Sequence, residues 1–253
     1  MNILVFVKQV PDTETRIQIQ NGAVDTSSVK WVANPYDEFA IEEALRIRER
    51  LGAGKVTVLS LGPDRVKDAI KYALSLGADE GVHVKGDGVA MDDPLSVATV
   101  LAAAATKAGF DLILAGKHAV DNDSGATGVM LAELLDLPHV SVVVGLEIDA
   151  AAKRGTAKRE IEGGVEIVSF ELPAVVTAQK GLNEPRYPTL KGIMGAKKKE
   201  IRAVPMPEAL TPRVKIVALH APVKTKTTQM LTGTPADAAK ELVRRLREDA
   251  RVI

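Results

Sequence analysis

Strand-like and helix-like segments alternate without a break across residues 55–115, and few architectures admit that rhythm. Residues 55–61 read as a strand, 63–76 as a helix, 81–84 as a strand, 94–107 as a helix and 112–115 as a strand. Earlier, residues 3–7 form a short β run that continues through Lys8, Gln9 and Val10 to a turn at Pro11 and Asp12. Asn34 and Pro35 then read as the cap and first position of a helix, with Asp37 in its first turn and Phe39, Ile41, Ala44, Leu45 and Leu51 at helical spacing. Three helices begin at a proline, and three end at Gly52, Gly77 and Gly109. Helices of this length between strands imply right-handed βαβ units and a mostly parallel sheet covered by helices on both faces. The expected class is therefore α/β.

Departures from the rhythm locate the rest. Residues 16–31 alternate weakly around Asn21-Gly22, as a small hairpin would. Across 140–170 alternation around Asp149-Ala150 and Gly163-Gly164 predicts an antiparallel ribbon at the sheet edge. The continuous run 172–178 then returns as a buried strand. Residues 182–199 (LNEPRYPTLKGIMGAKKK) follow, and their makeup suits a surface device rather than a core. Leu182, Leu190, Ile193 and Met194 stand among turn formers and charges, while Pro185 and Pro188 hold the segment out of sheet ladders. An ordinary strand-to-helix connection is the plainer reading. After Lys199 the pattern fades through Pro205, Pro207, Pro212 and Pro222, and an amphipathic helix over 235–249 closes the chain. We expect an α/β nucleotide-binding domain over 1–200, with 182–199 as its recognition loop, and an arm over 201–253 that lies on a partner. The alternative is a terminal helix packed back on its own domain.

Composition narrows the chemistry. With 253 residues, 46% of them hydrophobic, the chain buries a substantial core. Its 33 basic residues balance 33 acidic ones, which weighs against an RNA- or DNA-binding module even though Lys197, Lys198 and Lys199 are consecutive. Without Cys there is no disulfide framework or thiolate metal site. Met1 leads straight into a strand and no apolar run approaches the ~20 residues of a membrane span, so a soluble, cytoplasmic protein without a targeting segment is expected. The four His residues show no ligand spacing, and no nucleophile-elbow pattern occurs.

The clearest chemical candidate is 116–128, GKHAVDNDSGATG, between the strand at Leu112 and a helix beginning near Ser124. A glycine-bearing turn into a helix start at the carboxyl end of a strand offers free N–H groups to a phosphate, with Ser124, Gly125, Thr127 and Gly128 suited to the task. Asp121 and Asp123 oppose a phosphate unless they face a ribose, cap the helix or hold a metal. The spacing matches neither the Rossmann fingerprint nor a Walker A loop. A plainly capped helix start accounts for the same residues.

Residues 157–177, with Arg159, Glu162-Gly163-Gly164, Glu166, Pro173 and Val175-Val176-Thr177, resemble the signature of the electron-transfer flavoprotein β-subunit family. The likeness extends through 182–199, the loop 121–128, Asn34-Pro35-Tyr36 and Val7-Lys8, and is weakest over 202–233. It implies an adenine nucleotide α-hydrolase-like fold and a heterodimer with an α subunit. Such a pair is an electron carrier rather than an enzyme, passing electrons from acyl-CoA and other dehydrogenases to a membrane quinone oxidoreductase. FAD would be held mainly by the α subunit and AMP by this chain, through Val7, Asn34, Asp121, Asn122, Asp123, Ser124, Gly125 and Thr127. Tyr36 would lie near the flavin ring, and Thr13 stands where some relatives carry a further tyrosine there. Leu190 would anchor a dehydrogenase, with Pro188, Lys191, Ile193 and Met194 around it. Two alternatives are an electron-bifurcating relative with a second FAD in the β site and a stand-alone nucleotide-binding α/β enzyme.

Overall fold

The computed structural model describes residues 1–86, 89–206, 211–223 and 228–253. Among them, nine strands form one sheet, and the first strand, β1 (Asn2–Phe6), lies near its middle. On one flank of β1 run β6 (Lys55–Gly62), β7 (Glu80–Lys85) and β13 (Ile201–Val204); on the other run β8 (Leu112–Gly116), β12 (Ala174–Ala178) and β9 (His139–Asp149), all paired in parallel. The antiparallel β10 (Arg154–Ile161) and β11 (Gly164–Glu171) extend β9 to the edge. Helices α1 (Pro35–Leu51) and α2 (Lys67–Leu76) bury Ile41, Leu45, Ile70 and Leu74 against Ile3, Val5, Val56 and Val58. Helices α3 (Pro94–Ala108) and α4 (Ala126–Leu134) cover the opposite face, packing Val100, Leu101 and Leu131 on Leu4, Phe6, Leu59 and Ile113. Alternate side chains of each strand thus feed two cores, and burying each such side chain is worth about 1.5–3 kcal/mol.

Local chemistry sets the helix boundaries. Pro35 and Pro94 occupy first helical positions, where a missing N–H costs nothing. The carboxylate of Asp93 caps α3 by accepting from Leu95 N, and Gly52 ends α1 in the left-handed region at φ 65°. At Pro63 the outcome differs from the expected continuous helix: Pro63 is extended, and a 3-10 turn over Asp64–Val66 precedes α2.

The first strand also stops sooner than its apolar run suggests. Val7 N still reaches Leu59 O at 3.0 Å, but Lys8 N donates to Asp37 Oδ2 at 2.7 Å, so the chain leaves the sheet. Strand β2 (Gln9–Pro11) then pairs antiparallel with β5 (Trp31–Ala33) in a separate small sheet, while β3 (Ile19–Gln20) and β4 (Ala23–Val24) make the hairpin about Asn21-Gly22. Within β9, Val142 adopts φ 61°, a costly conformation for a β-branched residue. There the strand bulges as it passes from parallel pairing with β12 to antiparallel pairing with β10, and Thr177 Oγ1 accepts the Val142 N–H.

Ile201–Val204 joins the main sheet beside β7, so the sheet reaches past residue 200. Pro207 and the rest of 207–210 and 224–227 lie outside the described residues. Residues 211–223 run without regular structure, fastened by Arg213 N to Asp93 Oδ2 at 2.8 Å and by Leu219 N to Gly22 O at 2.9 Å. Helix α6 (Pro235–Arg244) has no buried residue, leaves Leu242 and Val243 exposed, and continues into a π-helical turn over Arg245–Asp249. Among the described residues no helix is long and apolar enough to cross a membrane.

Candidate functional site: a cleft at the strand ends and an exposed helix

Chain order places a crevice beside β1. The units β1–α1–β6–α2–β7 step outward in one direction, and α3 then returns the chain to β8 on the other side of β1. Helices leaving neighbouring strands for opposite faces cannot close over the strand ends, and ligands of open α/β sheets gather at that point. A cleft of about 820 Å³, its open mouth included, lies there. Val7 and Lys8, Asn34 and Asp37, and the loop Gly116–Ala119 with Asn122, Ser124, Thr127 and Gly128 form its polar wall. Leu59, Leu61, Met91, Val97, Leu101 and Leu131 make an apolar floor.

Asn34 holds the wall together. It occupies the cap position of α1 yet makes no side-chain cap bond. Instead Nδ2 donates to His118 O at 2.9 Å and Oδ1 accepts from Val120 N at 3.2 Å. Asp37, one turn on, is buried; its two oxygens accept Lys8 N at 2.7 Å and Gly116 N at 2.9 Å, tying the ends of β1 and β8 together. Burial pushes its pKa up to about 7, against the pull of these hydrogen bonds and of the Lys8 charge. Gly116 permits this approach, because a β-carbon there would sit 2.7 Å from Tyr36 Cβ and collide with the Asp37 carboxylate.

Both loop carboxylates have partners. Asp121 meets Lys8 Nζ at 2.7 Å, and Asp123, at φ 53°, lies 3.5 Å from His118 Nε2. Asn122 Oδ1 accepts from Ser124 N at 3.1 Å and shapes the turn into α4. That helix begins at Ala126 rather than at Ser124, with Gly125 as its cap and no side-chain cap bond. Of the residues singled out from sequence, Val7, Asn34, Asn122, Ser124, Thr127 and Gly128 line the cleft, whereas Asp121, Asp123 and Gly125 belong to the same loop but not to its lining. Tyr36 stands beside the cleft, edge-on to the His118 ring at 4.5 Å, with Lys117 Nζ 5.0 Å from its ring centre. Sequence reasoning missed the apolar floor and the place of Asp37, and within the loop 116–128 it gave Lys117 and His118 no role. An acidic residue in a first helical turn is ordinary, and only the topology shows where this one points. Among the described residues, no group of His, Asp and Glu is disposed to hold a metal ion.

A second exposed feature lies away from the cleft. Helix α5 (Leu190–Ala196) starts after Pro188, and Thr189 Oγ1 accepts Gly192 N at 3.0 Å. Ala196 is buried, and Gly192 abuts the Ser75 carbonyl of α2 so closely that a β-carbon would collide with it. The outer face carries Leu190, 79% exposed, with Ile193, Met194 and Lys191 also exposed and Tyr187 nearby. Leu190 is therefore not a core residue.

The electron transfer flavoprotein domain family matches residues 21–209. The electron transfer flavoprotein subunit beta of Bacillus subtilis is 40% identical over the full length of both chains. That of Syntrophomonas wolfei is 40% identical over 88% of this chain and 86% of its own. The mouse subunit beta is 38% identical over all of this chain and 99% of its own. Likeness at this level over the whole length, on an α/β sheet with a cleft at its switch point, shows that the chain belongs to the electron transfer flavoprotein family, among its β subunits.

Proposed function

We propose that this chain is the β subunit of a heterodimeric electron carrier of the cytoplasm, not an enzyme in itself. In this reading it takes electrons from acyl-CoA and other dehydrogenases and delivers them to a membrane quinone oxidoreductase. The observation that carries the docking part is the outer face of α5, where a leucine, an isoleucine and a methionine stand in solvent on a helix that is fixed to the domain. Folding gains nothing from that exposure, and apolar side chains displayed together mark partner sites. Leu190 is the anchor, Ile193 and Met194 widen the contact, Pro188 sets its presentation, and Lys191 adds charge at the rim.

The cleft fits an adenylate. Its glycine-bearing loop leads to the start of α4, the neighbouring hydroxyls of Ser124 and Thr127 suit a phosphate, and the apolar floor suits a flat base. Lys8 already neutralises Asp121, which removes the electrostatic objection to a phosphate beside that carboxylate. Val7, Asn34, Asn122, Ser124 and Thr127 would hold AMP, with Asp121, Asp123 and Gly125 shaping the loop. FAD, held mainly by the α subunit, would supply the redox chemistry when bound. Tyr36, braced by His118 and Lys117, is the aromatic this chain offers near it. Aromatic residues make up only 3% of the chain, which agrees with a flavin carried chiefly by a partner.

The test of docking is Leu190→Ala in the assembled heterodimer. Losing the burial of one leucine, worth about 1.5–3 kcal/mol, should raise the KM for a purified acyl-CoA dehydrogenase about tenfold or more. FAD content, absorbance spectrum and melting temperature should stay unchanged, because the side chain is exposed. An unchanged KM overturns the anchor.

A further inference from the structure

The segment that precedes α5 is bolted to α1 by one arginine. Arg186 Nε and Nη2 engage Glu42 at 2.7 and 3.2 Å, and Nη1 and Nη2 engage Glu49 at 2.7 and 3.0 Å. The two carboxylates lie two helical turns apart on one face of α1, so a single planar guanidinium spans both. Arg186 N adds a bond to Glu42 Oε2 at 3.2 Å. Glu42 is buried, and its other cation, Arg46, donates from Nη2 to the Glu184 carbonyl at 3.1 Å. Asn183 Nδ2 reaches Phe39 O at 3.0 Å and Glu43 Oε2 at 3.1 Å. Beyond α5, Lys199 Nζ binds the carbonyls of Ala78 and Leu74 at the end of α2. The helix rests on α2 through Gly192 and Ala196 and is fastened on both flanks, the denser set of bonds lying four residues before Leu190.

The chemistry exceeds what a surface loop requires. Exposed ion pairs contribute little, but this guanidinium forks onto two carboxylates, the buried one of Glu42 and the half-exposed one of Glu49, so that geometry as well as charge is specified. The same α1 carries Asn34 and Asp37 at its other end, which hold the cleft wall. One rigid helix thus joins the docking face to the nucleotide cleft.

We propose that Arg186 is a positioning residue for docking: its fork on Glu42 and Glu49 fixes the place of Leu190 relative to α1 and the cofactor-bearing side of the subunit. The proposal rests on the α5 docking reading. A lysine at this position keeps the positive charge but not the fork, so residues 185–189 and the Leu190 end of α5 would be ordered fully only at the moment of contact, while Ala196 and Lys199 still hold the far end. Ordering a few side chains then reduces affinity about three- to tenfold.

The experiment compares Arg186→Lys, Glu49→Gln and Leu190→Ala heterodimers, using steady-state reduction by an acyl-CoA dehydrogenase and amide hydrogen exchange of residues 185–196 without any partner. Expected are faster exchange in Arg186→Lys, a KM raised about three- to tenfold and an unchanged kcat, with Glu49→Gln smaller in the same direction. Glu49 is half exposed and leaves the Glu42 fork in place, so this variant reports even if Arg186→Lys fails to fold. If Arg186→Lys or Glu49→Gln matches wild type in exchange and KM while Leu190→Ala raises KM, Arg186 positions nothing. If Arg186→Lys raises KM only through a changed salt dependence with exchange unaltered, the residue acts as a steering charge and the proposal is overturned. If Leu190→Ala itself leaves KM unchanged, the docking reading fails, and the positioning role goes with it.

Discussion

Asp37 makes the cleft wall sensitive to pH through a carboxylate that is almost wholly buried. Its folded pKa, pushed up to about 7 by burial, lies above the value of an unfolded aspartate. The native state therefore binds the proton more tightly. The stability tied to this group is fully present in acid, below the ordinary carboxylate range, and is lost as pH rises through about 7. Asp37→Asn cannot titrate, so its melting temperature should fall less than that of wild type between about pH 5 and 8. It should also lie lower in acid, because the amide nitrogen cannot accept the N–H of Lys8 or Gly116. Parallel melting curves at every pH would deny Asp37 the role. At this scale the sequence was half legible. The hydroxyls and glycines of 124–128 declare a helix start by type, and the exposure of Leu190 follows from the charges and prolines beside it. The task of Asp37 depends on Lys8 and Gly116, which are near it in space alone.

Among elements, legibility followed length and local punctuation. Helices α1 and α3 announce themselves by proline at one end and glycine at the other, and these signals act through neighbouring residues only. Strands β2, β5 and β13 span three or four residues, and β13, half exposed, carries no alternation to read. Its place in the sheet comes from β7, more than a hundred positions earlier. The α6 helix presents the reverse case: a clear apolar stripe over 235–249 with no buried residue to receive it. Removing 234–253 should then weaken assembly with the α subunit more than it lowers the melting temperature of this chain. Titrating the truncated chain against the α subunit, alongside a thermal scan, separates the outcomes. A collapsed transition with unchanged affinity would assign α6 to its own domain.

For the molecule as a whole, the rhythm of strand and helix settled the class, and the class indicated where a ligand belongs. What the cleft binds is a question of substance rather than pattern. Mass spectrometry of ligands released from the purified heterodimer should find AMP in addition to FAD, whereas FAD in excess of one per heterodimer would mark the bifurcating alternative. Added AMP should raise the melting temperature, since a ligand at a hundredfold excess over its Kd adds about 2.7 kcal/mol. Release of FAD alone at one per heterodimer, with no response to AMP, would exclude the adenylate. The central position of β1 has a further consequence, for the growing chain. Ile3 pairs with Val56 on one side and with Leu112 on the other. At ~5–20 residues per second the ribosome delivers the second neighbour seconds after the first. During that interval a strand that is buried from Ile3 to Phe6 in the finished subunit has one bare edge in the cell, which makes the newborn chain, not the folded protein, the form most in need of a chaperone.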